Sequence, residues 1–271
     1  LLKRVIDQDV ETGNEGGPRI KQGVAKGRMP SVTDPEMRHG HKSSGKAYSG
    51  HKAHVAVDTD SGIITGLGVG APGTSDGDQL QELVEQSKAT TGSEVGEVLG
   101  DTAYATREAV RQAEKCDVEL TTKMPSPPKG KFGPRHFRVS QDLRQAECPA
   151  GHISSKIVRR GDGLLHKWSP DECRNCPLNQ RCMREDAKQR TLLVAPDFHD
   201  RRRREKVASS LEGRLLLRKR IVVEHAIGRL KNLGAGTARY FGQLRTLAQW
   251  QWAAAVVNLT IVWGREAALT T

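Results

Sequence analysis

Aromatic residues make up only 4% of this 271-residue chain, too few to line a path of stacking platforms for single-stranded nucleic acid. Long apolar runs are missing too. The longest, from Leu244 to Trp263, is interrupted by Arg245, Gln249, Gln251 and Asn258; this argues against a membrane span and predicts a buried amphipathic helix. No signal-peptide pattern opens the sequence. The five cysteines are odd in number and unevenly spaced, which argues against a secreted disulfide framework and for reduced thiols or a metal site in the cytoplasm. The chain begins LLKRV, without an initiator methionine, and is read as the product of processing or truncation upstream.

What is abundant is positive charge. Lysine and arginine total 43 against 32 acidic residues, a net charge of +11 with a pI near 9.6, which favours a polyanionic partner: DNA, RNA or an acidic membrane surface. With so few aromatics, contact to a nucleic acid is expected to be electrostatic and directed at its backbone. The length suits one or two domains.

Residues 10–50 are rich in Gly, Lys, Arg, His and Ser and lack a sustained period, so they read as a loop or extended arm. The segment HKAHVAVDTDSGIITGLGVG alternates through Ala53, Val55 and Val57, turns at Asp60–Gly62 and resumes apolar, predicting a β-hairpin. A helix from about Gly77 to Lys88 with Asp76 as a possible cap, a short strand ending at Asp101, a helix over 105–115 and a strand at DVELTT follow. The helix-crossed strands should lie parallel, giving an α/β layered domain. From 123 to about 205 the pattern dissolves into Pro, Gly, basic residues and cysteines, read as an insertion. Helix returns near Leu211 and runs through Glu224.

Four cysteines lie in that insertion: Cys148 in ECPAGH, and Cys173, Cys176 and Cys182 in CRNCPLNQRC. A Cys-x-x-Cys pair with two outlying cysteines fits a structural zinc site, with His152 able to replace one thiolate. Free loop thiols and a redox pair are the alternatives. Cys116 stands apart as a small buried residue.

Two carboxylates stand out. Asp101 ends a buried strand, where α/β sheets present functional groups, though it could equally cap the next helix. Glu224 sits beside an apolar face built from Val223, Ile227 and Leu230. At about 100° per residue Arg220, Glu224 and Lys231 share a stripe roughly 40° wide. That stripe suits a metal site facing phosphate, or an ordinary solvent-facing ion pair. Two carboxylates in a basic protein are what a two-metal phosphoryl-transfer site needs, with a third normally required. The cluster DRRRREK, with Arg201, Arg202, Arg203 and Arg204, is a candidate nonspecific DNA contact or a solvated helix face. Basic residues 38–52 are a second candidate contact.

GDTAY at 100–104 and the pattern Arg220-x3-Glu224-x6-Lys231 resemble the second aspartate and the glutamate region of DDE transposases from bacterial insertion sequences. The hairpin, GTSDGDQL and the cysteine-bearing insertion resemble one branch of that family, so the likeness runs over nearly the whole chain. Leu217 stands where the family signature has a tyrosine. The resemblance implies an α/β fold with a ribonuclease H-like core lacking its first strand. It divides the chain into a basic arm (1–50), the first part of the core (51–122), the cysteine-rich insertion (123–205), and the glutamate helix with a C-terminal helix (206–271). It further implies Mg²⁺-dependent cleavage at element ends and strand transfer into target DNA, with Asp101 and Glu224 as catalytic Mg²⁺ ligands and Arg220 and Lys231 on DNA phosphates. Zinc is expected at Cys148, Cys173, Cys176 and Cys182. The partner is double-stranded DNA, with no membrane and a homo-oligomer when intact. In the family the first catalytic aspartate lies on the first strand, a context that Asp7, Asp9 and Asp58 do not match. Asp9 is the fallback, and the chain is expected to be a fragment that is inactive alone. The rival readings are a zinc-stabilised DNA-binding module without catalysis and a metal-dependent nuclease of the same fold.

Overall fold

The computed structural model describes residues 2–13, 16–22, 27–43 and 45–269. In chain order the elements are α1 (Leu2–Asp9), β1 (Val10–Thr12), β2 (Pro18–Ile20), β3 (Arg38–Ser43), β4 (Lys46–Gly50), β5 (Lys52–Val57), β6 (Ile64–Gly70), α2 (Leu80–Thr91), β7 (Glu97–Gly100), α3 (Arg107–Lys115) and β8 (Glu119–Thr122). Then come β9 (Arg138–Val139), β10 (Ala146–Glu147), β11 (Lys156–Arg160), β12 (Gly163–Lys167), α4 (Pro170–Arg174), α5 (Asn179–Cys182), β13 (Thr191–Val194), α6 (Phe198–Ser209), α7 (Leu211–Arg218), α8 (Ile221–Asn232) and α9 (Gln243–Leu269). This mixed α/β chain folds into two compact units, one of Leu1–Leu99, Glu108–Leu120 and Arg218–Thr271, the other of Gly100–Arg107 and Thr121–Leu217.

The first unit is organised on the expected hairpin, β5 pairing antiparallel with β6 from Lys52↔Gly70 to Val57↔Ile64. Its turn closes because the Asp58 carboxylate accepts the Ser61 N–H at 2.9 Å while Gly62 takes a left-handed φ of 72°, a conformation that favours glycine. Helices α2 and α9 pack on β6, and α8 on β5. Ile64, Leu67, Ala226, Leu230, Trp250, Ala253, Ala254 and Val257 form the core. Asn258, which interrupts the apolar run in the sequence, serves the strand: its side chain accepts from Ile64 N at 2.8 Å and donates to Ile64 O at 2.9 Å. A polar residue on a buried helix face thereby satisfies backbone groups that no neighbouring strand pairs.

Several expectations change. Residues 10–50 are not simply an arm, since the antiparallel pairs β1–β2 and β3–β4 form there. Asp76 does not cap a helix; its carboxylate pairs with Lys52 and lies 3.5 Å from His54. The helix expected from Leu211 through Glu224 breaks at Lys219–Arg220 into α7 and α8. The strands β7 and β8 do lie parallel: Glu119 N donates to Gly96 O and Lys123 N to Gly100 O, an advance of four residues in the same direction on both strands.

In the second unit the segment that shows no period in the sequence builds a three-stranded antiparallel sheet, β11–β12–β13, over a core of Phe137, Ala146, Trp168, Leu192, Val194 and Phe198. His166 is fully buried there, its Nδ1 2.9 Å from Ser154 Oγ and its Nε2 2.9 Å from Leu143 O. The Trp168 indole donates to His152 O at 2.8 Å. Both large polar-edged rings are thus satisfied, which a dry core requires.

Candidate active-site carboxylates and a cysteine cluster

Asp101 follows β7 directly. Its Oδ1 accepts the Ala103 N–H at 2.8 Å, capping a single 3-10 turn over Thr102–Tyr104. The turn folds Tyr104 back over the strand end so closely that a Cβ at Gly100 would lie 2.8 Å from the Tyr104 Cβ. Gly100 and Asp101 of GDTAY are therefore set by local geometry, and Asp101 remains exposed with one oxygen used in the cap.

Glu224 occupies the first turn of α8 in the other unit. The buried face of that helix is Ala226 and Leu230, with Val223 and Ile227 half-buried, so Glu224 projects to solvent. Among the described residues it forms no ion pair, and neither Arg220 nor Lys231 pairs with any carboxylate. The solvent-facing ion pair allowed by the sequence is not made. Beside it, His225 and Arg229 of α8 line an open groove with Thr59–Gly62 of the hairpin turn.

The arginine cluster on α6 is only partly available. Arg202 donates to Phe137 O at 2.9 Å, Arg203 pairs with Asp200, and Arg204 lies 3.7 Å from Asp197. Arg201 is exposed and has no side-chain partner among the described residues.

Cys148, Cys173, Cys176 and Cys182 line one small cavity together with His152 and Trp168. All four thiols are free. The Leu178 N–H points at Cys176 Sγ and the Arg190 N–H at Cys173 Sγ, each at 3.4 Å. Burial pushes the Cys173 and Cys182 thiols up; the Arg190 N–H works against it at Cys173 and the Arg190 charge at Cys182. Among the described residues, however, no three His, Cys, Asp or Glu side chains form a group that could hold a metal ion. The zinc expectation therefore meets a gathered cluster and not a formed site. His152 is turned toward Glu172, 3.6 Å away, and Cys116 is a thiol pushed up by burial near the end of α3.

The fallback aspartate, Asp9, is engaged by Arg28 at 2.8 Å, and Asp58 is engaged by its own turn. One network has no sequence signal: Asp34, buried beside His51 at 3.0 Å, accepts the Gly242 N–H at 3.1 Å, and Glu36 accepts the Gln243 N–H. These carboxylates cap α9 from about two hundred residues away in sequence. No local pattern could have revealed a cap that distant.

Residues 147–263 match the family model described as a transposase DDE domain. The segment encloses the cysteine cluster, the arginines of α6, Glu224 and Lys231, and leaves Asp101 outside. Over that segment the chain is similar to DDE-type transposases. Neither the curated proteins nor the solved structures give a match, and no helix among the described residues is long and apolar enough to cross a membrane.

Proposed function

We propose that the chain is part of a DNA transposase whose Asp101 and Glu224 are two of three carboxylates that hold catalytic Mg²⁺. The observation that carries this reading is Glu224: it lies inside the matched transposase segment, at the start of a helix, exposed and without an ion-pair partner among the described residues. A carboxylate left free beside the unpaired cations Arg220 and Lys231 suits an oxygen ligand close to bound phosphates. Asp101 keeps one oxygen outside its cap for the same use. When bound, Mg²⁺ activates the attacking oxygen and stabilises the leaving one. Arg220 and Lys231 grip the DNA backbone near the cut, and Arg201 adds a nonspecific contact. The β5–β6 antiparallel pair and the β7–β8 parallel pair suit strands of a ribonuclease H-like core.

The same reading would have the four gathered cysteines close around a structural zinc, an arrangement that their side chains do not hold in this structure. Support comes from their shared cavity and from the backbone N–H groups of Arg190 and Leu178 aimed at the sulfurs of Cys173 and Cys176, donors suited to metal-bound sulfur.

The test is binding of the 271-residue chain to duplex DNA with free 3′ ends, with and without Mg²⁺. Salt-dependent binding is expected, strengthened by Mg²⁺ about fivefold, on the order of 1 kcal/mol. Glu224→Ala should abolish that gain, and no strand transfer should occur. Binding indifferent to Mg²⁺ and to Glu224→Ala would favour a DNA-binding module without catalysis. Robust strand transfer by this chain would remove the need for a third carboxylate elsewhere.

A further inference from the structure

Aromatic residues are scarce in this chain, and the only two adjacent in sequence, Tyr240 and Phe241, are left in solvent, 55% and 59% exposed. They sit in the loop between α8 and α9, which is held on both sides of them. On one side the Gln249 side chain of α9 uses its whole amide: its oxygen accepts the Arg239 N–H at 3.0 Å, and its nitrogen donates to Gly234 O and Thr237 O, each at 2.9 Å. On the other side the Asp34 and Glu36 carboxylates accept the Gly242 and Gln243 N–H groups. Among the described residues neither ring packs on another ring or under a cation, and neither belongs to the core of the unit. A backbone fixed at Arg239 and at Gly242 thus presents two rings that do no packing of their own.

Cations flank them. The Lys231 stem lies along the loop, so that a Cβ at Gly236 would stand 3.2 Å from the Lys231 Cγ, and the Arg239 guanidinium lies on Gly234, where a Cβ would stand 2.8 Å from its Nη2. Neither cation pairs with a carboxylate among the described residues, and no acidic residue occurs from His225 to Gly264. The exposed apolar stripe of α9, formed by Trp252, Val256, Leu259 and Trp263, differs in this respect, because no charged residue of either sign occurs from Thr246 to Gly264. Free cations beside exposed rings suit a ligand that is itself a series of flat rings joined by anions.

We propose that Tyr240 and Phe241 stack on unpaired nucleobases at the end of a DNA strand, with Lys231 and Arg239 on the phosphates of the same nucleotides. The proposal rests on the reading of the chain as part of a DNA transposase, and adds contacts to bases where that reading has contacts to phosphates alone. An aromatic face accepts any base, so the loop distinguishes a single strand from a duplex and not one sequence from another. Within a duplex the faces of the bases are covered by their neighbours, and the rings gain nothing until a base leaves the stack. Two rings cannot follow a long strand, but a terminus of a few unstacked nucleotides needs no more.

The test compares binding of the full chain, without Mg²⁺, to a blunt duplex and to the same duplex carrying a single-stranded 3′ end of a few nucleotides. Leaving out Mg²⁺ keeps Glu224 out of the comparison. The wild type should bind the tailed duplex about tenfold more tightly, the order expected for one base on one ring, and a tail of abasic nucleotides should lose most of that gain. Tyr240→Leu together with Phe241→Leu should bind both duplexes alike, with unchanged affinity for the blunt one and unchanged far-UV circular dichroism, since both side chains are exposed. Tyr240→Phe should keep the preference. Equal wild-type affinity for the blunt and tailed duplexes would overturn the proposal and leave duplex binding standing. So would an abasic tail that binds as well as the natural one, or a double leucine variant that keeps the preference. Failure to bind any of the three DNAs would instead overturn the transposase reading, and the proposal with it.

Discussion

The two units reach a core by different routes. In the first, a hairpin is held between helices whose apolar residues recur at helical spacing, and polar side chains from distant segments, Asn258, Asp34 and Glu36, satisfy the backbone groups left at element ends. In the second, short strands leave little periodic apolar surface, and the core gathers around the Phe137–Trp168 ring pair, 5.3 Å apart, with Cys148, Cys173 and Cys182 packed against it. Helix packing spreads stability over many residues. A small aromatic core concentrates it in a few, and a bound ion there would matter most.

Breaking the second core should have the largest effect. Trp168→Ala removes a ring that is 1% exposed and leaves His152 O without its indole donor, a loss of about 3–5 kcal/mol. Hydrogen exchange should show protection lost across the strands β11–β13 and kept in β5, β6 and α8. Loss of protection in both units alike would show that they do not fold as separate cores. The next effect concerns the cysteines. Protein purified without chelator should carry about one zinc per chain, and Cys173→Ser should lower both zinc content and the melting temperature. A metal-free wild type with the same melting temperature would reduce the cluster to four core thiols.

The contrast also governs what could be read in the sequence. The hairpin, α2, α3, β7, β8 and the long C-terminal helix are legible because their signals are local: alternation at Ala53, Val55 and Val57, the DTDSG turn, and apolar residues at three- and four-residue steps. The second unit is opaque because its pairings are not local. Phe137 meets Trp168 from thirty-one positions away, and β13 joins β12 across the cysteine loop. The candidate site divides the same way. Asp101 and Glu224 stand out as carboxylates at a strand end and on an amphipathic helix, whereas the engagement of Arg202 depends on Phe137, a partner that only the fold brings near. The exposed stripe of α9 lies in plain view as composition, but the run reads as a buried amphipathic helix, and its second apolar face shows only in the fold.

Within the first unit, Asn258→Ala sharpens the comparison by removing a backbone partner without opening a large cavity. Both polar groups of Ile64 lose a hydrogen bond, and about 1–3 kcal/mol should be lost for the buried groups left unsatisfied. Denaturant unfolding measures it, and a neutral result would mean that water reaches the strand edge. Asn258→Asp keeps the acceptor for Ile64 N–H but removes the donor to Ile64 O, and should fall between the two.

The smallest effect at neutral pH, and the one most specific to the first unit, is the acid limb of stability set by Asp34. Burial pushes this carboxyl up, but the Gly242 N–H, the hydrogen bond and charge of His51 and the Glu36 N–H outweigh it, so its pKa lies below the ordinary value of 3.8. A carboxylate with a depressed folded pKa binds fewer protons in the native state than in the unfolded one, so its contribution is complete above the unfolded value and disappears as pH falls through the folded one. Stability of the first unit should therefore be flat in this respect from pH 7 to about 5, then decline below about 4. Asp34→Asn keeps an acceptor for the Gly242 N–H, the cap that starts α9, while removing the titration. Its stability should be lower than wild type at pH 7 and converge on it in acid. An acid limb of equal steepness in Asp34→Asn would assign the loss to other carboxylates. A loss confined to the strands β11–β13 would place the acid-sensitive group in the second unit.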